Sequence, residues 1–312
     1  MTSWPGQPVT VVAPATSANL GPGFDSLGLA LSLHDTVQAR VTESGTNVRV
    51  TGVGAGHRWR PERHLVIRAM RAGFAATGGQ PSGIAISCRN DVPQGFGLGS
   101  SAAAIVTGLL AARALAAARE AASDPAEVLP DADVLRLACE IEGHPDNVAA
   151  CLAGGLTIAF DTAAGLGVAR LTPLADLAPV LCVPAMPVAT TTARQALPDQ
   201  VPHADAAANS ARAALLIAAL TSRPDLLLPG TEDFLHQRYR APTMPRTATL
   251  VAALREAGIP AVVSGSGPSV LALTVGGRAD AAGVARITAR AGAPWRVLPL
   301  RVDAEGARLV SS

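Results

Sequence analysis

An α+β fold divided between two domains is what this sequence predicts, and three observations predict it. Strand-like and helix-like patterns alternate along the chain with no internal repeat. At 312 residues the chain is about twice the usual domain size, which favours two domains sharing a cleft. Near the middle, a glycine-rich loop runs straight into an alanine-rich helix, an arrangement suited to holding an anion.

The elements follow in order. Apolar patterning predicts strands over 9–13, 37–42 and 48–51. Leu65, Ala69, Ala72 and Ala76 share one face of a helix over 64–76, and 84–88 alternates as a strand. Helices are predicted over 101–121 and 132–142, the first favoured by its alanine content. Gly154-Gly155 marks a break, so the domains are expected at 1–155 and 156–312. Beyond it come short strands over 156–160, 179–184, 262–264, 270–274 and 297–301, separated by helices over 204–220, 244–257 and 279–290.

Composition removes several function classes. With 25 basic and 24 acidic residues, net charge +1 and no basic run, nucleic acid is not expected as a partner. The most apolar stretch, 102–118, is mostly alanine and carries Arg113, so no membrane span is expected. Cys88, Cys139, Cys151 and Cys182 show neither CxxC spacing nor a compact disulfide framework, and the N-terminus lacks a charged start followed by an apolar core. Reduced, mostly buried thiols and a cytoplasmic location are expected.

The loop Pro93-Gln94-Gly95-Phe96-Gly97-Leu98-Gly99-Ser100-Ser101 looks built for phosphate. Its alternate glycines allow close backbone approach, and the following helix offers unpaired N–H groups at the positive end of its dipole. The sequence contains no lysine, so a P-loop of the GxxxxGK[ST] type is impossible. A dinucleotide fingerprint fits poorly, because Ser100 stands where the third glycine belongs. The bland alternative is a solvent turn with Ser100 capping the helix.

Two further segments bear on that choice: APATSANLGPGFDSLGLAL at 13–31 and AVVSGSGPSVLAL at 261–273. With the central loop between them, the three motifs resemble the GHMP family, small-molecule kinases named for galactose, homoserine, mevalonate and phosphomevalonate. EGHPDNVAACLAGG at 142–155 and the SANLGPGFD form of the first motif narrow the resemblance to the homoserine kinases. It covers nearly the whole chain. The resemblance implies an N-terminal domain of the ribosomal protein S5 domain 2-like kind, which binds nucleotide, and a ferredoxin-like C-terminal domain. It implies phosphorylation of L-homoserine to O-phospho-L-homoserine by ATP for threonine synthesis, and it alone implies a homodimer.

Phosphoryl transfer needs positioning and charge neutralisation more than covalent work by the protein. Mg2+ prefers oxygen ligands and usually takes one or two from the protein. By resemblance, residues 93–101 hold ATP, while Ser101 and Glu142 hold Mg2+ and serve catalysis. Glu140 competes with Glu142, but two residues apart on a helix they face roughly 200° apart, so only one should enter the site.

A zwitterionic substrate needs a carboxylate for its ammonium and an arginine for its carboxylate. The resemblance assigns Asn19, Asp25 and His144 to the amino-acid site, Arg194 and Arg240 to the substrate carboxylate, and Gly265 and Gly267 to close backbone approach. Arg238 stands where many relatives carry proline and so rivals Arg240, and Phe96 replaces a smaller or polar residue. The base pocket is expected near 64–68 and the loop after Arg89. The substrate proton is expected to pass to phosphate, with Asp25 binding substrate rather than acting as base. Mevalonate or another small alcohol is the rival substrate, and a non-catalytic binding protein is the rival class.

Overall fold

The computed structural model describes residues 4–57, 60–163, 165–187, 190–276, 278–292 and 294–310. Its first sheet opens with β1 (Val9–Ala18), β2 (Leu27–Thr42) and β3 (Gly45–Gly52). Helix α1 (Leu65–Ala76) then crosses back to β4 (Gly83–Asn90), which pairs parallel to β3. Helices α2 (Ser100–Glu120), α3 (Pro125–Val128), α4 (Asp131–Glu142) and α5 (Asp146–Ala153) follow. The antiparallel pair β5 (Leu156–Thr162) and β6 (Gly165–Leu171) joins the sheet through β2.

The second sheet holds β7 (Leu177–Pro184), β8 (Ala261–Val263), β9 (Val270–Val275) and β10 (Trp295–Pro299), ordered β10-β7-β9-β8 and antiparallel throughout. That order is the split βαβ pattern of a ferredoxin-like layer, as expected. Between β7 and β8 run α6 (Thr190–Gln195), α7 (His203–Thr221), α8 (Leu227–Gly230), α9 (Gln237–Arg240) and α10 (Pro245–Glu256), and α11 (Arg278–Arg290) precedes β10. Strand β11 (Arg308–Val310) returns to the first sheet and pairs with β1, giving the order β11-β1-β2-β4-β3.

The break expected between residues 155 and 156 falls at the Gly154-Gly155 turn between α5 and β5. Both sides of it belong to the first sheet, because β5 pairs with β2 through Leu27, Gly28 and Leu29. The chain passes to the second sheet only after Leu171.

Burial explains which residues form these strands. In β7, Leu181 and Val183 enter a core shared with β1 and β2, while Val180 and Cys182 enter the core beneath α10 and α11. In β9, Leu271 and Leu273 point one way and Val270 and Ala272 the other. Both faces are covered, so these strands read as continuous apolar runs. The shared core fuses the two sheets below the loops that build the site.

Helix α2 is long and apolar enough to cross a membrane by length and composition, yet 78% of its most apolar stretch is buried inside the protein. Its small residues let α1 approach closely: a Cβ on Gly108 would lie 2.6 Å from the Val66 carbonyl oxygen. Cys88, Cys151 and Cys182 are buried and Cys139 half-buried, all as free thiols. Burial pushes the Cys88 thiol up to about 12 and that of Cys182 to about 11, which makes both inert at neutral pH.

Candidate active site

The three glycine-bearing motifs meet over the shared core. The phosphate loop lies on the third motif so closely that a Cβ on Gly97 would sit 2.1 Å from the Ser264 carbonyl oxygen. Ser264 Oγ donates to the Gly97 carbonyl at 2.7 Å, and Ser269 N–H reaches the Phe96 carbonyl at 3.4 Å. Gly95, Gly97 and Gly99 all have positive φ, at 79°, 73° and 64°. Gly99, not Ser100, is the cap residue of α2, and it makes no side-chain cap bond. The first helical bond runs from Ala103 N–H to the Gly99 carbonyl at 2.9 Å, leaving the amides of Ser100, Ser101 and Ala102 for an anion.

These residues line a cavity of about 260 Å3. Gly95, Gly97, Leu98, Gly99, Ser100 and Ser101 of the expected phosphate loop all line it. Pro93 and Phe96 lie elsewhere, beside a surface groove near Trp295, and Phe96 packs against the shared core. Its bulk therefore falls outside the cavity. Gln94 borders a second cavity, also about 260 Å3, which shares Ser100 and Ser101 with the first. Its walls include Arg63, His64, Leu65, Val66 and Asn90, where the sequence placed the base.

Asp35 lies in the wall of that second cavity and escaped the sequence reading. Its Oδ1 accepts the backbone N–H groups of Asp91 and Val92 at 2.8 and 2.9 Å, tying β2 to the start of the phosphate loop. Burial pushes its carboxyl up to about 6, against the lowering effect of those two bonds.

Ser101 Oγ donates to Glu142 Oε1 at 2.5 Å. Glu142 ends α4 facing the cavity, with Gly143 closing the helix in a left-handed conformation. Glu140 turns outward to pair with Arg136 at 2.7 Å, as the helical angle between the two glutamates requires. A hydroxyl and a carboxylate are the hard oxygen donors that Mg2+ takes. No cluster of three or more His, Cys, Asp or Glu suited to a metal occurs among the described residues, so the phosphates and water would supply the remaining ligands.

Residues of the first motif, α6 and α9 also line the cavity. Asn19, Leu20 and Asp25 have φ of 68°, 49° and 55°, left-handed values that non-glycine residues adopt at a cost. Asn19 offsets that cost: its Oδ1 accepts Asp25 N–H at 2.9 Å and its Nδ2 donates to the Gly265 carbonyl at 2.8 Å. Asn19 lines the cavity, but these bonds also make it the tie between the first and third motifs. Arg194 pairs in a bidentate manner with Asp25, at 2.8 and 3.2 Å.

Arg240 is buried in the cavity wall, donating through Nε to the Ala193 carbonyl and through Nη1 to the Gly265 carbonyl, both at 3.2 Å. Burial lowers its pKa, and Arg194 nearby lowers it further. Arg238 points outward and pairs with Asp205, which separates the two rival arginines. Gly265 lines the cavity; Gly267 does not, and packs behind it instead, where a Cβ would meet Met244 Sδ at 2.6 Å.

His144 lines the cavity with its Nδ1 2.7 Å from Asp146 Oδ1 and its Nε2 4.0 Å from Glu142 Oε1. The hydrogen bond to Asp146 raises its pKa, outweighing burial. Asp146 and Asn147, to which the sequence reading gave no role in the site, also line the cavity. Asp146 Oδ1 accepts Asn147 N–H at 2.8 Å, and Asn147 Oδ1 accepts Thr16 Oγ–H at 2.7 Å. The signal was their adjacency to Glu142 and His144 inside one motif.

Comparison with known proteins agrees with this geometry. Residues 64–155 match the family model of the GHMP kinases N terminal domain, and residues 209–294 match that of the GHMP kinases C terminal. A homoserine kinase of Streptomyces coelicolor is 52% identical over 97% of this chain and 94% of its own length. That of Streptomyces avermitilis is 51% identical over 97% and 95%. A crystal structure of homoserine kinase from Cytophaga hutchinsonii superposes with a TM-score of 0.82 at 27% identity, covering 99% of both chains. The chain therefore belongs to the GHMP kinases and, within them, to the homoserine kinase family.

Proposed function

We propose that this chain transfers the γ-phosphoryl group of ATP to the side-chain hydroxyl of L-homoserine, forming O-phospho-L-homoserine and ADP for threonine synthesis. The observation that carries the reading is a single cavity lined both by the Gly95–Ser101 loop, which we assign as the phosphate end, and by Asp25, Arg194 and Arg240, which we assign as the zwitterion end. The adjoining cavity beside His64 takes the base.

The amides at the start of α2 and the helix dipole hold the phosphates without a lysine. Ser101 and Glu142 would hold Mg2+, which when bound neutralises charge developing on the transferred group. Asp25 receives the substrate ammonium, while Arg194 and Arg240 receive its carboxylate. Held at that end, the substrate directs its hydroxyl oxygen at the γ-phosphorus. The new O–P bond forms as the bond to the bridging oxygen breaks, ADP leaves, and the hydroxyl proton passes to the transferred phosphoryl group. His144, held by Asp146, lines the same cavity.

The deciding experiment is ADP release from Mg-ATP with L-homoserine, D-homoserine, L-threonine or mevalonate at matched concentrations. Stereoselective turnover of L-homoserine is expected. Turnover of mevalonate alone would transfer the assignment to a sister kinase, and metal-dependent ATP binding without turnover would revive the non-catalytic class. Four free thiols fit a reducing, cytoplasmic location. The homodimer implied by the resemblance is tested by sedimentation.

A further inference from the structure

We infer that His236 is a positioning residue that aims the Arg240 guanidinium at the substrate carboxylate, acting as the neutral tautomer with its proton on Nε2; this deepens the function proposed above and rests on it. His236 is wholly buried just ahead of α9 and does not line the cavity. Its Nε2 lies 2.8 Å from the Gly21 carbonyl oxygen, an atom that only accepts. Its Nδ1 lies 3.2 Å from Arg240 Nη1, an atom that only donates. One protonation state satisfies both contacts: Nε2 carries the hydrogen and Nδ1 offers its lone pair. The other neutral tautomer sets a lone pair against a carbonyl and an N–H against a guanidinium.

The surroundings favour the neutral ring. Burial lowers the His236 pKa, and Arg240 acts in the same direction, against Asp233 and Asp25. Asp233 Oδ2 is 3.7 Å from Nε2, but the Asp233 carboxylate accepts the N–H groups of Leu235, His236 and Gln237. Phe24 stacks on the imidazole at 5.2 Å between centroids, with an interplanar angle of 29°. The same ring receives the guanidinium of Arg240 at 5.4 Å and that of Arg194 at 5.8 Å. Thus Gly21 and Phe24 of the first motif set the ring, and the ring sets Arg240. The remaining holds on Arg240 are two backbone carbonyls that use Nε and Nη1, and no described residue occupies Nη2.

Two variants separate the ring nitrogens. In His236→Asn the side-chain oxygen takes the place of Nδ1 and still accepts from Arg240. In His236→Gln the amide nitrogen takes the place of Nε2, donates to Gly21, and removes one of the two acceptors of Arg240 Nη1, leaving only the Gly265 carbonyl. Wild-type turnover of L-homoserine is measured first, so that failure of the function itself is recognised separately. His236→Gln is expected to raise KM for L-homoserine about tenfold or more, with kcat and KM for ATP within about threefold of wild type. His236→Asn is expected to keep all three within about threefold.

The reverse order, or equal losses reaching KM for ATP, overturns the proposal and leaves His236 a structural residue. Should neither variant fold, side-chain 15N spectra of the wild-type protein at neutral pH decide the question. A protonated Nε2 with bare Nδ1 on the fully buried ring is expected, and a proton on Nδ1 overturns the inference.

Discussion

Arg194 and Asp25, 169 positions apart in sequence, face each other as a two-point ion pair, Nη2 to Oδ1 at 2.8 Å and Nη1 to Oδ2 at 3.2 Å. A zwitterion can replace both partners at once, whereas a lone anion or lone cation leaves one of them unmatched. Under the proposed function the pair would discriminate by charge pattern, which mevalonate, lacking an ammonium, does not match.

Asp25→Asn removes the counter-charge for the ammonium. KM for L-homoserine should rise roughly tenfold to hundredfold, the size of a lost charge-assisted bond. Steady-state kinetics check this. A large fall in kcat at unchanged KM would instead assign Asp25 to proton transfer.

Glu142→Gln keeps the shape of the side chain and removes its charge. We expect a loss of roughly 10²- to 10³-fold in kcat, partly recovered at high Mg2+. Initial rates against Mg2+ concentration test it, and an unchanged metal dependence would exclude Glu142 as a ligand.

The two arginines of α9 should behave differently. Arg240→Lys loses the planar fork in the cavity wall, so KM for L-homoserine should rise by about tenfold or more. Arg238→Lys, at a solvent-exposed pair with Asp205, should change little. Equal effects on KM would contradict the placement.

Asp35 makes stability depend on pH in a definite direction. Its carboxyl is raised from 3.8 to about 6 in the folded chain, so folded protein takes up a proton before unfolded protein does. The contribution is fully present below about pH 4 and is lost as pH rises through about 6, a swing of about 3 kcal/mol. Urea melts of wild type and Asp35→Asn between about pH 4.5 and about pH 7.5 should show a stability difference that changes across this window. A constant difference would refute it.

Gly97→Ala and Gly45→Ala share a positive φ, 73° and 75°, but only Gly97 has backbone atoms where a Cβ would go. Gly45→Ala should cost about 1 kcal/mol and Gly97→Ala more than about 3 kcal/mol. Thermal melts compare them. Similar shifts would mean that backbone strain, not the contact with Ser264, makes Gly97 necessary.

The strand over 84–88 was legible because its burial alternates with its sequence, and that over 270–274 because both its faces are buried and it reads as a continuous apolar run. Residues 14–18 and 27–36 were not read as strand, although they finish β1 and begin β2, with a register shift between Pro14 and Ala15. The proline and glycines there mask the pattern. β6 is half-exposed with glycines at 165 and 167, and β11 has three residues, too few for a period to register. Helices of four residues such as α8 and α9 are too short for a period to register, and α9 is started by local bonds from the N–H groups of Leu235, His236 and Gln237 to the Asp233 carboxylate. At the site, residue types were legible and partnerships were not. Nothing local says that Asn19 spends its amide on Asp25 and Gly265, or that Arg194 meets Asp25.

The return of β11 to the side of β1 bears on how the protein is made. Every other strand of the first sheet is synthesised by residue 171, but Val11 waits for Leu309, its register partner. Until the ribosome has released the entire second sheet, the nascent first sheet carries an open β1 edge, able to pair with a neighbouring chain. Vectorial synthesis thus leaves the strand made first as the one whose second neighbour is made last.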